Sequence, residues 1–172
     1  AFNPYEVPQI IKDDKNGSLN NRALMAYHPG SIFKILVTAA ALEEKVIKES
    51  DRFFCENGYY TVANRVIREA NRKQHGYLSV REILKYSSNI GSAKIADKLG
   101  KEKYYHYIKK FGFGEKTGID LTGEAAGLLR PVQSWTKVDT AAIAFGQGIS
   151  VTAIQLITAM SAIANDGMLM KP

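Results

Sequence analysis

The sequence predicts a mainly helical α+β domain, and three observations carry that prediction. The run from Ser31 to about Ile47 is apolar on nearly every face, the pattern of a helix buried in the middle of a domain. Two capping boxes, Ser79 with Glu82 and Thr152 with Gln155, open further helices. Residues 52–68 alternate and hold aromatic and β-branched side chains, which fits a short hairpin or two. A chain of 172 residues, 45% of them apolar, is long enough to bury one such core.

Taken in order, the first thirty residues carry turn signals, Asn3-Pro4 and Asn16-Gly17, around a short apolar patch and read as extended or irregular. The buried helix follows from Ser31, and the hairpin region comes after it. The helix opened by Ser79 is expected to run to about Tyr86. A second runs from about Asn89 to Leu99 and stops at Gly100; a third, amphipathic, runs from about Glu102 to Phe111 and stops at Gly112. Residues 112–150 are rich in glycine and read as loop. The last helix starts at Thr152 and ends near Asn165, with Gly167 behind it.

Several function classes drop out early. The net charge is +6, yet the lysines and arginines are scattered among glutamates, with no basic arm and no basic stripe of interleaved aromatics, so no nucleic-acid partner is expected. Cys55 is the single cysteine, and His28, His75 and His106 lie far apart without metal-ligand spacing, so no metal is expected. The longest apolar stretch, Ile35 to Leu42, is interrupted by Thr38 and falls well short of the roughly 20 residues a membrane span needs. Ala1 to Ile11 lacks the apolar core of a signal peptide, so any anchor or export signal is expected outside this chain.

The feature that asks for chemistry is Lys34. It stands inside the apolar helix, and at about 100° per residue Ser31, Lys34 and Thr38 fall within about 60° of one another. They form the polar stripe of that helix. Burial disfavours the charged amine, and so does the positive end of the helix dipole. Bringing a lysine from about 10.4 to near 7 represents about 4 to 5 kcal/mol, which structure alone has no reason to bear. A neutral lysine within reach of a serine hydroxyl takes its proton and leaves a nucleophile. A lysine snorkelling from the rim of a core helix is the competing reading.

The spacing by itself does not decide, because S-x-x-K occurs twice, as Ser31/Lys34 and as Ser134/Lys137. Ser134 lies in a proline-bounded stretch beside Trp135, read as having no buried helix behind it. A second pattern, S-x-N, also occurs twice, as Ser18-Leu19-Asn20 in the irregular N-terminal stretch and as Ser87-Ser88-Asn89 at a break between two helices. There a hydroxyl and an amide can point out of the helical layer together, although an ordinary N-cap would read the same way.

With these residues in view, the chain resembles the transpeptidase domain of class B penicillin-binding proteins, of the cell-division (septal) or sporulation type. The resemblance is carried by "NRALMAYHPGSIFKILVTAAALEEKVI", "FFCENGYY", "YSSNIGSAKIADKLG", "FGFGEKTGIDLTGE" and "IAFGQGISVTAIQLITAMSAIANDG", in the family's order over nearly the whole chain. His28 departs from the family pattern, which has glutamate there. The resemblance implies an α+β fold of the serine β-lactamase/D,D-peptidase kind, here mainly its helical part with short strands. Residues 1–172 are then a partial transpeptidase domain, without the C-terminal strands that carry the third K-[ST]-G motif, and inactive on its own. Lys116-Thr117-Gly118 spells that motif, but its glycine-rich surroundings read as a loop and make it a decoy.

The resemblance also assigns roles. Ser31 is the nucleophile acylated by the D-Ala-D-Ala end of a peptidoglycan stem peptide, and by β-lactams. Lys34 is its general base, a role disputed across S-x-x-K enzymes. Ser87 relays the proton to the leaving amine, and Asn89 bonds both Lys34 and the substrate amide. Phe145 and Gln147 border the substrate groove. No cofactor is implied. Cell-division membrane proteins are the implied partners, and the extracytoplasmic face of the bacterial inner membrane is the implied location. A β-lactam-sensing receptor domain or a β-lactamase of the same fold is the alternative, and Asn89 argues against the sensor. A Ser-His-Asp hydrolase is disfavoured because no G-x-S-x-G elbow is present.

Overall fold

The computed structural model of the chain describes residues 20–172. The turn signals at Asn3-Pro4 and Asn16-Gly17, and most of Ser18-Leu19-Asn20, lie outside the described residues. Six α-helices are found among those described: α1 (Phe33–Glu43), α2 (Val80–Lys85), α3 (Asn89–Leu99), α4 (Lys101–Lys110), α5 (Lys137–Ala144) and α6 (Ala153–Ala164). Helix α3 is the hub and packs against both α1 and α5, which also touch each other, with α4 touching α1 and α3.

Helix α1 is the buried helix expected from its composition. Phe33, Leu36, Val37, Ala40 and Ala41 are all at most 1% exposed; Ala39 and Leu42 are half-buried, and Ile35 and Glu43 are exposed. Phe33 meets Phe113 edge to face, with ring centroids 5.1 Å apart. A single 3-10 turn, Gly30–Ile32, precedes α1 and runs straight into it.

Capping boxes set the helix starts. Ser79 N donates to Glu82 Oε2 (2.8 Å) while Glu82 N donates to Ser79 Oγ (3.3 Å), and the Thr152–Gln155 pair repeats the arrangement at 2.9 and 3.1 Å. A third box, Thr136 with Asp139, opens α5. That helix corrects the loop reading of residues 112–150. It also corrects the setting of Ser134, which does have a helix with buried residues, among them Ala141 and Ile143, behind it.

The strands are short and pair in twos, all antiparallel. Within 52–68 there is one hairpin, β3 (Tyr59–Val62) with β4 (Arg65–Arg68), turning at Ala63-Asn64. Strand β2 (Arg52–Phe54) pairs instead with the more distant β5 (Tyr77–Ser79). Strands β1 (Ala26–Tyr27) and β6 (Val151–Thr152) join the approach to Ser31 to the start of α6.

That last pairing positions the site. The Pro29-Gly30 turn ahead of α1 is held by residues 146–152: Gly30 N donates to Gly146 O (3.2 Å), and His28 Nδ1 lies 2.7 Å from Ile149 O. Gly146 has φ +77°, and a Cβ placed on it would stand 2.1 Å from Gly30 O and 2.4 Å from Gly30 N. Backbone meets backbone there, and only glycine fits.

Candidate active site

Ser31 and Lys34 meet as the helical spacing requires. Ser31 sits in the 3-10 turn and is exposed, whereas Lys34 is only 1% exposed one turn further on. Lys34 Nζ donates to Ser31 Oγ at 3.2 Å, to Ser87 Oγ at 2.9 Å and to Ser87 O at 2.5 Å. Three acceptor oxygens, from two serines on separate segments, thus share one amine. Burial pushes the pKa of Lys34 down from 10.5 to about 8, against the opposing pull of the Glu69 carboxylate. Holding the lysine there corresponds to about 3 kcal/mol of bias toward the neutral amine.

Thr38 belongs to the stripe but not to the site. Its Oγ1 donates to Lys34 O at 2.8 Å, the back-bond that a buried threonine makes within its own helix.

Ser87 occupies the turn between α2 and α3. Its φ is +56°, the left-handed conformation, and the turn closes with Ser87 N donating to Leu84 O (3.1 Å) and Ser88 N to Ile83 O (2.9 Å). This is the Schellman arrangement, with serine where glycine is the usual residue. A non-glycine residue in that conformation costs about 1 kcal/mol, and the hydroxyl this side chain brings to Lys34 is what glycine lacks.

The next two residues are tied down by Arg68 at the end of β4 and by Glu69 just after it. Ser88 caps α3 by accepting from Gly91 N (2.9 Å), and its hydroxyl donates to Glu69 Oε1. Asn89 N donates to Glu69 Oε2 (2.6 Å), and Asn89 Nδ2 to Arg68 O (2.9 Å). The expected bond from Asn89 to Lys34 is therefore absent among the described residues; the amide is held by the end of β4 instead. Glu69 itself is 5% exposed. No local signal marks it in the sequence, because its partners stand 19 and 20 residues away.

Gln147 is exposed, in the segment whose neighbour Gly146 abuts Gly30, and Phe145 is half-buried against the core. The Lys116-Thr117-Gly118 triplet lies in irregular backbone and not in a strand. Glu124, 7% exposed, accepts from Thr117 N (2.7 Å), Thr117 Oγ1 (2.6 Å) and Gly118 N (3.1 Å), so the threonine is engaged in holding its own loop. Ser134 Oγ likewise donates to Pro131 O at 2.8 Å and makes no bond to Lys137.

A family model of the penicillin binding protein transpeptidase domain matches residues 3–172. Stage V sporulation protein D of Bacillus subtilis is 46% identical over 159 residues, which is 90% of this chain and 24% of that protein. The probable peptidoglycan D,D-transpeptidase PenA of Neisseria gonorrhoeae is 32% identical over 168 residues, 96% of this chain and 28% of that one. Among solved structures, penicillin binding protein 3 of Mycobacterium tuberculosis, complexed with aztreonam, superposes with a TM-score of 0.83 at 32% identity, covering 90% of this chain and 34% of that one. The chain thus spans about a quarter of the length of the curated relatives it matches.

Proposed function

Because the chain belongs to the penicillin-binding protein transpeptidase family, we propose that it carries the acylation site of a peptidoglycan D,D-transpeptidase. Ser31 Oγ attacks the carbonyl between the two D-alanines of a stem peptide, and neutral Lys34 takes the hydroxyl proton. The tetrahedral intermediate collapses with cleavage of the C–N bond; Ser87, bonded to the same lysine, passes a proton to the departing D-alanine amine. An amine of a neighbouring strand then attacks the ester, restores Ser31 and leaves a cross-link. β-Lactams acylate the same hydroxyl by opening their ring amide, a reading that draws on the aztreonam complex of a relative.

The observation that carries the proposal is the shared amine: Lys34 Nζ within 3.2 Å of Ser31 Oγ and 2.9 Å of Ser87 Oγ, in a site dry enough to bring its pKa to about 8. At pH 7 roughly one lysine in ten is then neutral, against fewer than about one in a thousand for an unperturbed side chain. Asn89 is proposed to meet the substrate amide and Gln147 and Phe145 to border its groove. The K-[ST]-G cation is proposed to come from outside residues 1–172, since the triplet at 116–118 is folded into a loop on Glu124. Action at the extracytoplasmic face of the bacterial inner membrane, with division or sporulation membrane proteins as partners, completes the reading.

The test is to incubate the full-length protein with a fluorescent penicillin, digest it and locate the adduct by mass spectrometry. The label is expected on the peptide containing Ser31. A label elsewhere, or none, overturns the proposal.

A further inference from the structure

The Lys34–Ser87 contact has a support that no motif describes. Lys34 donates to the backbone carbonyl and the hydroxyl of Ser87, the adjacent Ser88 donates to Glu69, and Asn89 donates its backbone N–H to the other oxygen of the same carboxylate. A buried carboxylate therefore grips the two residues that follow Ser87, while Leu84 and Ile83 grip the turn from the other side. Ser87 sits in a strained conformation between the two holds, as a functional residue kept against its preference must.

Hydrogen bonding alone does not call for a charge here. Ser88 already caps α3, and a neutral acceptor would serve the N–H of Asn89 equally well, whereas an ionised carboxylate that is 5% exposed is costly to bury. What the charge adds is a negative group facing the other buried charge of the neighbourhood. We propose that Glu69 is a positioning residue of this site: its carboxylate pins Ser88 and Asn89 so that Ser87 is presented to Lys34, and its charge faces that lysine.

The inference rests on the acyl-transfer reading and refines it. Burial drives Lys34 toward the neutral form, and Glu69 restrains that drive. Between them they leave an amine that can both take the proton of Ser31 and give one up through Ser87. The other titratable groups near the cluster do not compete for this role. Burial pushes the thiol of Cys55, which lies 3.5 Å from Ser88 Oγ, upward, so it stays neutral, and Lys94 and Glu56 are engaged with each other at 2.5 Å.

Two variants of the full-length protein separate geometry from charge: Glu69→Gln keeps the shape and removes the charge, and Glu69→Asp keeps the charge on a shorter arm. Acylation rates with a fluorescent penicillin would be measured from about pH 6 to about pH 10. Glu69→Gln should move the midpoint of the rising limb to lower pH, by up to about one unit, because the lysine loses its counter-charge. Glu69→Asp should leave the midpoint in place and lower the plateau rate by roughly 10- to 100-fold, as a displaced turn would. A structural role alone would not move the midpoint. A Glu69→Gln profile superimposed on that of the wild type overturns the inference and leaves the acyl-transfer reading standing. A wild-type protein that takes no label on Ser31 overturns both. If Glu69→Gln fails to fold in a thermal melt, Glu69→Asp decides, and a wild-type rate there overturns the positioning role.

Discussion

Ser31 and Ser134 each sit in a single 3-10 turn just ahead of an α-helix, and each is followed three residues later by a lysine. The two segments part at the junction. After Ser31 the backbone stays helical, with Ile32 at φ −61°, ψ −32° and Phe33 at φ −65°, ψ −19°, so one turn separates hydroxyl and amine. After Ser134 the chain runs extended through Trp135 (ψ 124°) and Thr136 (ψ 172°), and the lysine starts a new helix. Two extended residues advance the chain by about 6 to 7 Å, which parts the pair. Their surroundings differ as well. Lys34 is buried and shares its protons with two serines, whereas Ser134 and Lys137 both face solvent. A spacing of three is chemistry only on an unbroken helix whose lysine has been taken out of water.

The largest expected effect breaks this comparison outright. Ser31→Ala should abolish covalent labelling by a fluorescent penicillin while Ser134→Ala leaves it unchanged. Stoichiometric labelling of the Ser31→Ala protein would remove Ser31 from the mechanism.

Next in size is the base. Lys34→Ala should slow acylation by about 10²- to 10⁴-fold, the usual contribution of a general base, and Lys137→Ala should leave the rate within about twofold. The pH dependence follows from the depressed lysine. Only the neutral amine takes the proton, so the rate should be low below pH 7, rise through about 8 and level off above it. A flat profile across that range would assign the proton to another group.

Much of this was legible beforehand. The residue patterns gave a mainly helical α+β domain, and the transpeptidase fold that the family resemblance implied agrees with the transpeptidase structures the chain is similar to. Helix α1 announced itself by being apolar all round, and the boxes at Ser79 and Thr152 gave helix starts to the residue. Helix α5 went unread because its box uses Asp139, one methylene shorter than the usual glutamate or glutamine, amid a glycine-rich stretch. Strand β5 went unread because its partner β2 lies some 25 residues away, and pairing at that distance leaves no local pattern. In the site, spacing and a helix break singled out Ser31, Lys34 and Ser87 as candidates, and the family resemblance assigned their roles. Glu69 was invisible for the reason β5 was, and the fate of the Asn89 amide depended on where β4 ends.

A smaller effect sharpens the comparison by linking its two halves. Helix α5, which follows the second S-x-x-K, ends at Ala144, and Gly146 two residues later presses on Gly30 beside the first. In Gly146→Ala the new Cβ would fall 2.1 Å from Gly30 O, so the turn carrying Ser31 must move. A displacement near 1 Å at reacting atoms costs about 10²-fold, and acylation should fall by roughly 10- to 100-fold. An unchanged rate would mean the turn absorbs the methyl without moving Ser31.

The smallest effect concerns the other end of α5. Thr136 accepts from Asp139 N at 3.2 Å while Asp139 Oδ2 accepts from Thr136 N at 2.9 Å, so Thr136→Ala removes a helix cap on the exposed surface. Losing such a cap typically lowers stability by about 1 kcal/mol. The rate of acylation should nevertheless stay within about twofold, because the far end of the helix is held independently: Gly146 N donates to Ile143 O (2.9 Å), Gln147 N donates to Ala142 O (3.0 Å), and Gly146 O accepts from Gly30 N. Denaturant unfolding and acylation kinetics on the one variant measure the two quantities. A cap lost without change in rate confines the influence of α5 on Ser31 to its C-terminal turn. A rate that falls with the cap makes the whole helix, and with it the surroundings of Ser134 and Lys137, a support of the Ser31 turn.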